Sequence, residues 1–111
     1  MINTERRDKI DIVNFEIDKI NALITDDLKE EISKLFTAGN SKVILNLKGV
    51  QYIDSSGFGC LLSILKNARN NYCTLKLAGA EPAVTQILQT LHLHTIFEIY
   101  DDLDSCVRSM R

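Results

Sequence analysis

The run Val43-Ile44-Leu45-Asn46-Leu47 is short and almost wholly apolar. A strand with one wet face alternates apolar and polar residues, because successive side chains point to opposite faces. A run without that alternation fits a strand covered on both faces, the situation inside a parallel sheet. Parallel neighbours cannot be joined by a tight turn and need a crossover, usually a helix. This one stretch therefore predicts a chain of alternating strands and helices, and the flanking sequence supplies them.

Upstream, Ile10-Asp11-Ile12-Val13-Asn14-Phe15-Glu16-Ile17 is rich in β-branched and aromatic residues. Its alternation slips phase at Val13, which predicts a strand with a bulge, and the polar segment before it can pair with it as an edge strand. After a turn over residues 18–21, Leu28, Ile32, Leu35 and Phe36 recur at helical spacing, with Lys29, Glu30, Glu31 and Lys34 elsewhere on the cylinder. Gly39-Asn40 ends this helix, and Asn21, Thr25 or Asp26 could each cap its start.

Downstream, Leu61, Leu62, Leu65 and Ala68 give a second helix an apolar stripe, with Ser63, Lys66, Asn67 and Asn70 on its other side. Cys73-Thr74-Leu75-Lys76-Leu77-Ala78 reads as a strand that stops at Gly79. Pro82 then sits where a first helical turn accepts proline, and Val84, Ile87, Leu88 and Leu91 complete a third helix. Thr95-Ile96-Phe97-Glu98-Ile99-Tyr100 reads as a last strand. Asp101 and Asp104 form an acidic capping arrangement before a fourth helix bearing Leu103, Val107 and Met110. Right-handed crossovers then give a sheet flanked by helices.

At 111 residues, with 45% hydrophobic and 25% charged side chains, the chain has the size and composition of one globular domain, residues 1–111. A formal charge of −2 offers no field to hold a phosphate backbone, so direct binding of nucleic acid is not expected. The N-terminus lacks the apolar core of a signal peptide and no apolar run approaches spanning length, so a cytoplasmic protein without membrane insertion is expected. Cys60, Cys73 and Cys106 are scattered, without Cys-x-x-Cys, and read as reduced, buried small hydrophobes. His92 and His94 have no further ligand close in sequence, so no metal is expected.

Chemistry concentrates in Tyr52-Ile53-Asp54-Ser55-Ser56-Gly57-Phe58-Gly59, at the carboxyl end of a strand region and the start of the second helix. That edge is where open α/β sheets usually bind ligands, and a helix start favours an anion such as a phosphoserine. Asp and Ser are also preferred N-caps, and Gly relieves crowding in a tight turn. A nucleophilic serine needs a base and an oxyanion hole, yet there is no Gly-x-Ser-x-Gly and no evident route from the histidines to Ser55. A P-loop needs a lysine, and a dinucleotide fingerprint needs differently spaced glycines. Helix capping and modification of an exposed hydroxyl both remain open.

The run from Val43 through Asp54-Ser55-Ser56-Gly57-Phe58-Gly59 resembles the strand, link and Asp-Ser-Ser/Thr-Gly-Leu-Gly signature of single-domain anti-sigma factor antagonists, members of the STAS group of domains. Ala78-Gly79 before Glu81-Pro82-Ala83-Val84 is similar to the family's later strand-to-helix joint. The resemblance implies a four- or five-stranded mixed sheet with about four helices packed mainly on one face, and a binding module without a cofactor, monomeric or weakly dimeric, rather than an enzyme. It implies that Ser55 is phosphorylated by an ATP-dependent anti-sigma factor that is also a serine kinase. The unmodified antagonist binds that kinase and releases a sigma factor; a phosphoserine phosphatase restores it after phosphorylation. Asp54, Ser56, Gly57, Phe58 and Asp18 are the partner-binding positions so implied. Phe15 stands where the family often has glycine, Phe58 replaces the usual leucine, and residues 18–28 are longer than in common members.

Another class fits the same motif: a STAS subunit docking on the ATPase of a phospholipid-transport or other membrane complex, with no need of phosphorylation. A small-ligand or nucleotide-binding domain is a third class, for which no purine-holding residues can be named.

Overall fold

The computed structural model describes residues 1–37 and 39–111. Strands β1 (Ile2–Arg7) and β2 (Ile10–Phe15) form an antiparallel hairpin with Ile2 opposite Phe15 and Arg7 opposite Ile10. Its turn, Asp8-Lys9, takes left-handed φ values of 53° and 65°, the backbone that matches a tight hairpin to the strands' twist. The pairing runs through Val13 without interruption, so the expected bulge is absent. The phase slip has another cause, burial of both faces: Ile10 and Ile12 point into one core, Val13 and Phe15 into the other.

β2 continues in parallel to β4 (Lys42–Asn46), β6 (Thr74–Ala78) and β7 (Ile99–Tyr100), giving the five-stranded mixed sheet β1-β2-β4-β6-β7. Helices α1 (Thr25–Ser33), α2 (Ser55–Asn70) and α3 (Pro82–Thr90) cover the face of Val13, Val43, Leu45, Leu75 and Leu77. Helix α4 (Leu103–Ser109) covers the other face, with Cys106, Val107 and Met110 against Ile10, Ile12 and Ile44. The expected STAS-like arrangement, with helices mainly on one face, is therefore observed. Among the described residues, no helix is long and apolar enough to cross a membrane.

Several local expectations are corrected. The turn over residues 18–21 contains a short strand, β3 (Lys19–Ile20), paired in parallel with β5 (Tyr52–Ile53) as a separate small sheet. None of Asn21, Thr25 and Asp26 is the N-cap of α1: Ile24 occupies it without a side-chain bond, because its apolar chain is drawn against the core. Helix α1 ends at Ser33, before Gly39-Asn40. Leu35 and Phe36 close tighter turns onto Ile32 and Ser33 while Phe36 stays buried. A nine-residue helix is marginal by itself, so burial of Leu28 and Ile32 holds it.

The last strand is confined to Ile99–Tyr100, because Leu93–Thr95 form a 3-10 turn that receives the Ile96 and Phe97 amides at the Leu93 carbonyl. Leu91 lies past the end of α3 and is half exposed. At α4 the cap is Asp102, whose carboxylate accepts the Ser105 amide at 2.7 Å; Asp104 lies in the first turn and faces Arg7 at 3.5 Å.

Candidate functional site

The Asp-Ser-Ser-Gly stretch begins with a cap. Asp54 has extended backbone, φ −85° and ψ −179°, and its Oδ1 accepts the Gly57 amide at 2.8 Å. Its carbonyl takes the Phe58 amide at 3.0 Å, the first bond within α2. Capping, one of the two readings left open by the sequence, is thus what the Asp54 side chain does. Ser55 and Ser56 follow as the first helical residues, and both are exposed.

A second segment locks this start in place. The Asp54 amide donates to the Ile20 carbonyl at 3.1 Å, while the Asp18 carbonyl accepts the Gln51 and Tyr52 amides at 2.8 and 3.1 Å. Asp18 itself is exposed. Gly57 lies in the tightest part of the joint: a Cβ there would stand 2.6 Å from Ile53 Cγ2 and 2.8 Å from the Ile20 oxygen. Phe58 is 5% exposed and belongs to the main core. Asp18, Asp54, Ser55 and Ser56 are thus joined through β3 and β5, while Gly57 and Phe58 lie beneath the surface they present. The sequence alone did not reveal Ile20 as the partner of Asp54; a glycine inside a helix start is the signal that another backbone passes close by.

Beside Ser56 a depression of about 190 Å³ is lined by Thr25, Asp26, Lys29, Gly59, Cys60 and Ser63. The Cys60 thiol donates to the Thr25 carbonyl at 3.4 Å. Burial pushes that thiol's pKa up; Lys29 opposes the shift and Asp26 adds to it, so Cys60 is neutral near pH 7 and poorly suited to nucleophilic work. His92 and His94 lie together at the 3-10 turn, exposed, with ring centroids 6.1 Å apart. Among the described residues, every buried side-chain nitrogen and oxygen has a hydrogen-bond partner. The start of α2 thus offers an exposed hydroxyl in the positive field of a 16-residue helix.

A larger cavity, about 460 Å³, opens at the carboxyl ends of β4, β6 and β7, among Asn46, Lys48, Gly79, Glu81, Asp101, Asp102 and Asp104. The sequence reading did not single it out. Its carboxylates disfavour an anion, and the Glu81 side chain already accepts the Gly49 amide at 2.7 Å.

A family model of the STAS domain matches residues 1–106. A candidate anti-sigma factor antagonist of Thermotoga maritima is 29% identical over 73 residues, which span 66% of this chain and 65% of that relative. An anti-sigma-factor antagonist (STAS) domain protein from Planctomyces limnophilus superposes with a TM-score of 0.88 at 16% identity, covering 98% of this chain and 97% of its own. The Bacillus cell fate determinant SpoIIAA in its phosphorylated form superposes with a TM-score of 0.71 at 14% identity, covering 100% of both chains. At such identities the solved structures establish a shared fold. With the family model spanning nearly the whole sequence and the capped Asp-Ser-Ser-Gly helix start in place, the chain belongs to the STAS domain family.

Proposed function

We propose that this chain is an anti-sigma factor antagonist switched by phosphorylation of Ser55. The observation that carries the reading is the exposed Ser55 hydroxyl at the first position of α2, directly after an Asp54 committed to capping. The relative in Thermotoga maritima and the phosphorylated form of the structural neighbour SpoIIAA support it. Unmodified, the chain docks on an anti-sigma factor serine kinase and frees a sigma factor. Asp18, Asp54 and Ser56 contribute to the docking surface, held from beneath by Gly57 and Phe58.

In the switch, Ser55 Oγ attacks the γ-phosphorus of ATP held by the kinase. A P–O bond to the β-phosphate breaks, ADP leaves, and the serine proton passes to a base on the kinase. The product carries about −1.5 to −2 charges at Ser55 and faces the phosphates of the nucleotide it came from, which opposes docking. In the free chain the same charge lies against the amides and positive end of α2, so the switch alters binding without unfolding the domain. A phosphoserine phosphatase reverses it by hydrolysis.

Incubation with the kinase and ATP, followed by phosphopeptide mapping, tests the assignment. The expected result is a single phosphate on Ser55 and none on a Ser55→Ala variant. Modification of Ser56 instead, or none with an active kinase, would overturn it.

A further inference from the structure

The turn that carries the chain from β3 into α1 holds an apolar side chain out in water. Leu23 is 89% exposed. The backbone of the turn is fixed: the Leu23 amide donates to Asn21 Oδ1 at 3.0 Å, the Ile24 amide to the Asn21 carbonyl at 3.1 Å, and the Thr25 hydroxyl to the Ala22 carbonyl at 3.4 Å. Both ends of the turn are tied to α2. The Ile20 carbonyl takes the amide of Asp54, and the Thr25 carbonyl takes the thiol of Cys60. Asp54 and Cys60 lie about 9 Å apart along the helix axis at 1.5 Å per residue. The turn therefore runs beside the opening of α2, past Ser55 and Ser56, to the depression lined by Thr25, Ser56 and Gly59.

A lone exposed leucine is ordinary. This one is carried by a hydrogen-bonded turn tied at both ends to the start of α2, and Tyr52, 51% exposed, lies on β5 just before the capping aspartate. A turn whose backbone is already ordered in the free protein loses little main-chain freedom on docking, which favours the side chain it presents as an interface anchor. The flanking chain exposes Asp18, Asp26 and Asp27 together with Lys19 and Lys29, a small excess of negative charge, so the complementary surface is an apolar socket with a mixed rim in which basic groups predominate.

We propose that Leu23 is a specificity-determining anchor of the docking surface, seated in an apolar socket of the anti-sigma factor kinase while Ser55 is unmodified; this rests on the antagonist reading above. Calorimetric titration of the purified kinase from the same cell tests it. Leu23→Ala is expected to weaken binding roughly ten- to hundredfold with an unchanged thermal midpoint. Leu23→Met restores most of the affinity, Asn21→Ala weakens it less than Leu23→Ala does, and Leu91→Ala, at an equally apolar position past α3, has no effect. If Leu23→Ala binds like the unaltered chain while Ser55→Asp does not, the anchor is wrong and the antagonist reading stands. If the unaltered chain fails to bind the kinase, both fall. If Leu23→Ala abolishes self-association in sedimentation and leaves kinase affinity intact, the socket belongs to a second copy of the chain and the proposal is overturned.

Discussion

A methyl group added at Gly57 meets a backbone oxygen at 2.8 Å, whereas one added at Gly59 meets nothing within 4 Å. Both glycines lie inside α2, where alanine is favoured over glycine by about 1 kcal/mol. At Gly59 that gain is unopposed, so Gly59→Ala is expected to raise stability by up to about 1 kcal/mol in urea unfolding. At Gly57 the clash involves the Ile20 carbonyl that also anchors Asp54, and overpacking of about 1–3 kcal/mol outweighs the propensity gain. Gly57→Ala is therefore expected to be destabilised, and a stabilised variant would mean that β3 yields easily. Asp54→Ala removes the cap and is expected to cost about 1 kcal/mol by the same measurement. The cap and the exposed serines were legible in the sequence because both depend on neighbours within a turn. The contact between Gly57 and Ile20 was not, since it joins segments far apart in the chain.

Helix α4 is the element whose hold on the sheet responds to pH. Lys42 donates to the Met110 carbonyl at 2.7 Å, and Lys76 donates to Ser109 Oγ at 3.1 Å while pairing with Glu98 at 3.0 Å. Burial alone would lower the pKa of Lys76, but Glu98 and Tyr100 outweigh it and hold the amine above its ordinary value. For the Cys106 thiol burial acts in the other direction and pushes the pKa up, to about 11. A group with a raised folded pKa contributes fully below its unfolded value, and that contribution is lost as pH rises through the folded one. The thermal midpoint is therefore expected to fall from about pH 9 toward 11, with a flatter slope in Cys106→Ala; an unchanged slope would contradict the assignment. Asp102 has the opposite sense. The Ser105 amide and hydroxyl depress its pKa, so its contribution is present at neutral pH and lost as pH falls through that depressed value. Asp102→Ala should remove that part of the acid response. The apolar spacing of Leu103, Val107 and Met110 made α4 legible, but an amphipathic pattern does not say which face of the sheet it will cover. The last strand was overestimated because Thr95, Ile96 and Phe97 favour strands, while the turn that begins at His92, with a left-handed φ of 58°, takes them out of the sheet.

In the molecule as a whole, two cores share one sheet. Ile44 faces the core under α4 and Leu45 the core under α1, α2 and α3, so adjacent residues of β4 report on opposite sides. Truncation of either to alanine is expected to cost about 2–5 kcal/mol. Each should leave a single unfolding transition, because the strands are common to both layers. A split transition in Ile44→Ala would show that α4 folds as a separate unit. The parallel order of the central strands was legible from the almost wholly apolar run of Val43 to Leu47 and the crossovers it demands. The small sheet of β3 and β5 was not, because its two-residue strands carry no periodicity, yet it is what sets Asp54 and Ser55 at the surface. The phosphorylation switch proposed for that surface is tested most directly by calorimetric titration of the anti-sigma factor kinase with Ser55→Ala and Ser55→Asp. With both variants folded to the same thermal midpoint, Ser55→Ala is expected to bind like the unmodified chain and Ser55→Asp about tenfold or more weakly; equal affinities would contradict a charge switch at Ser55.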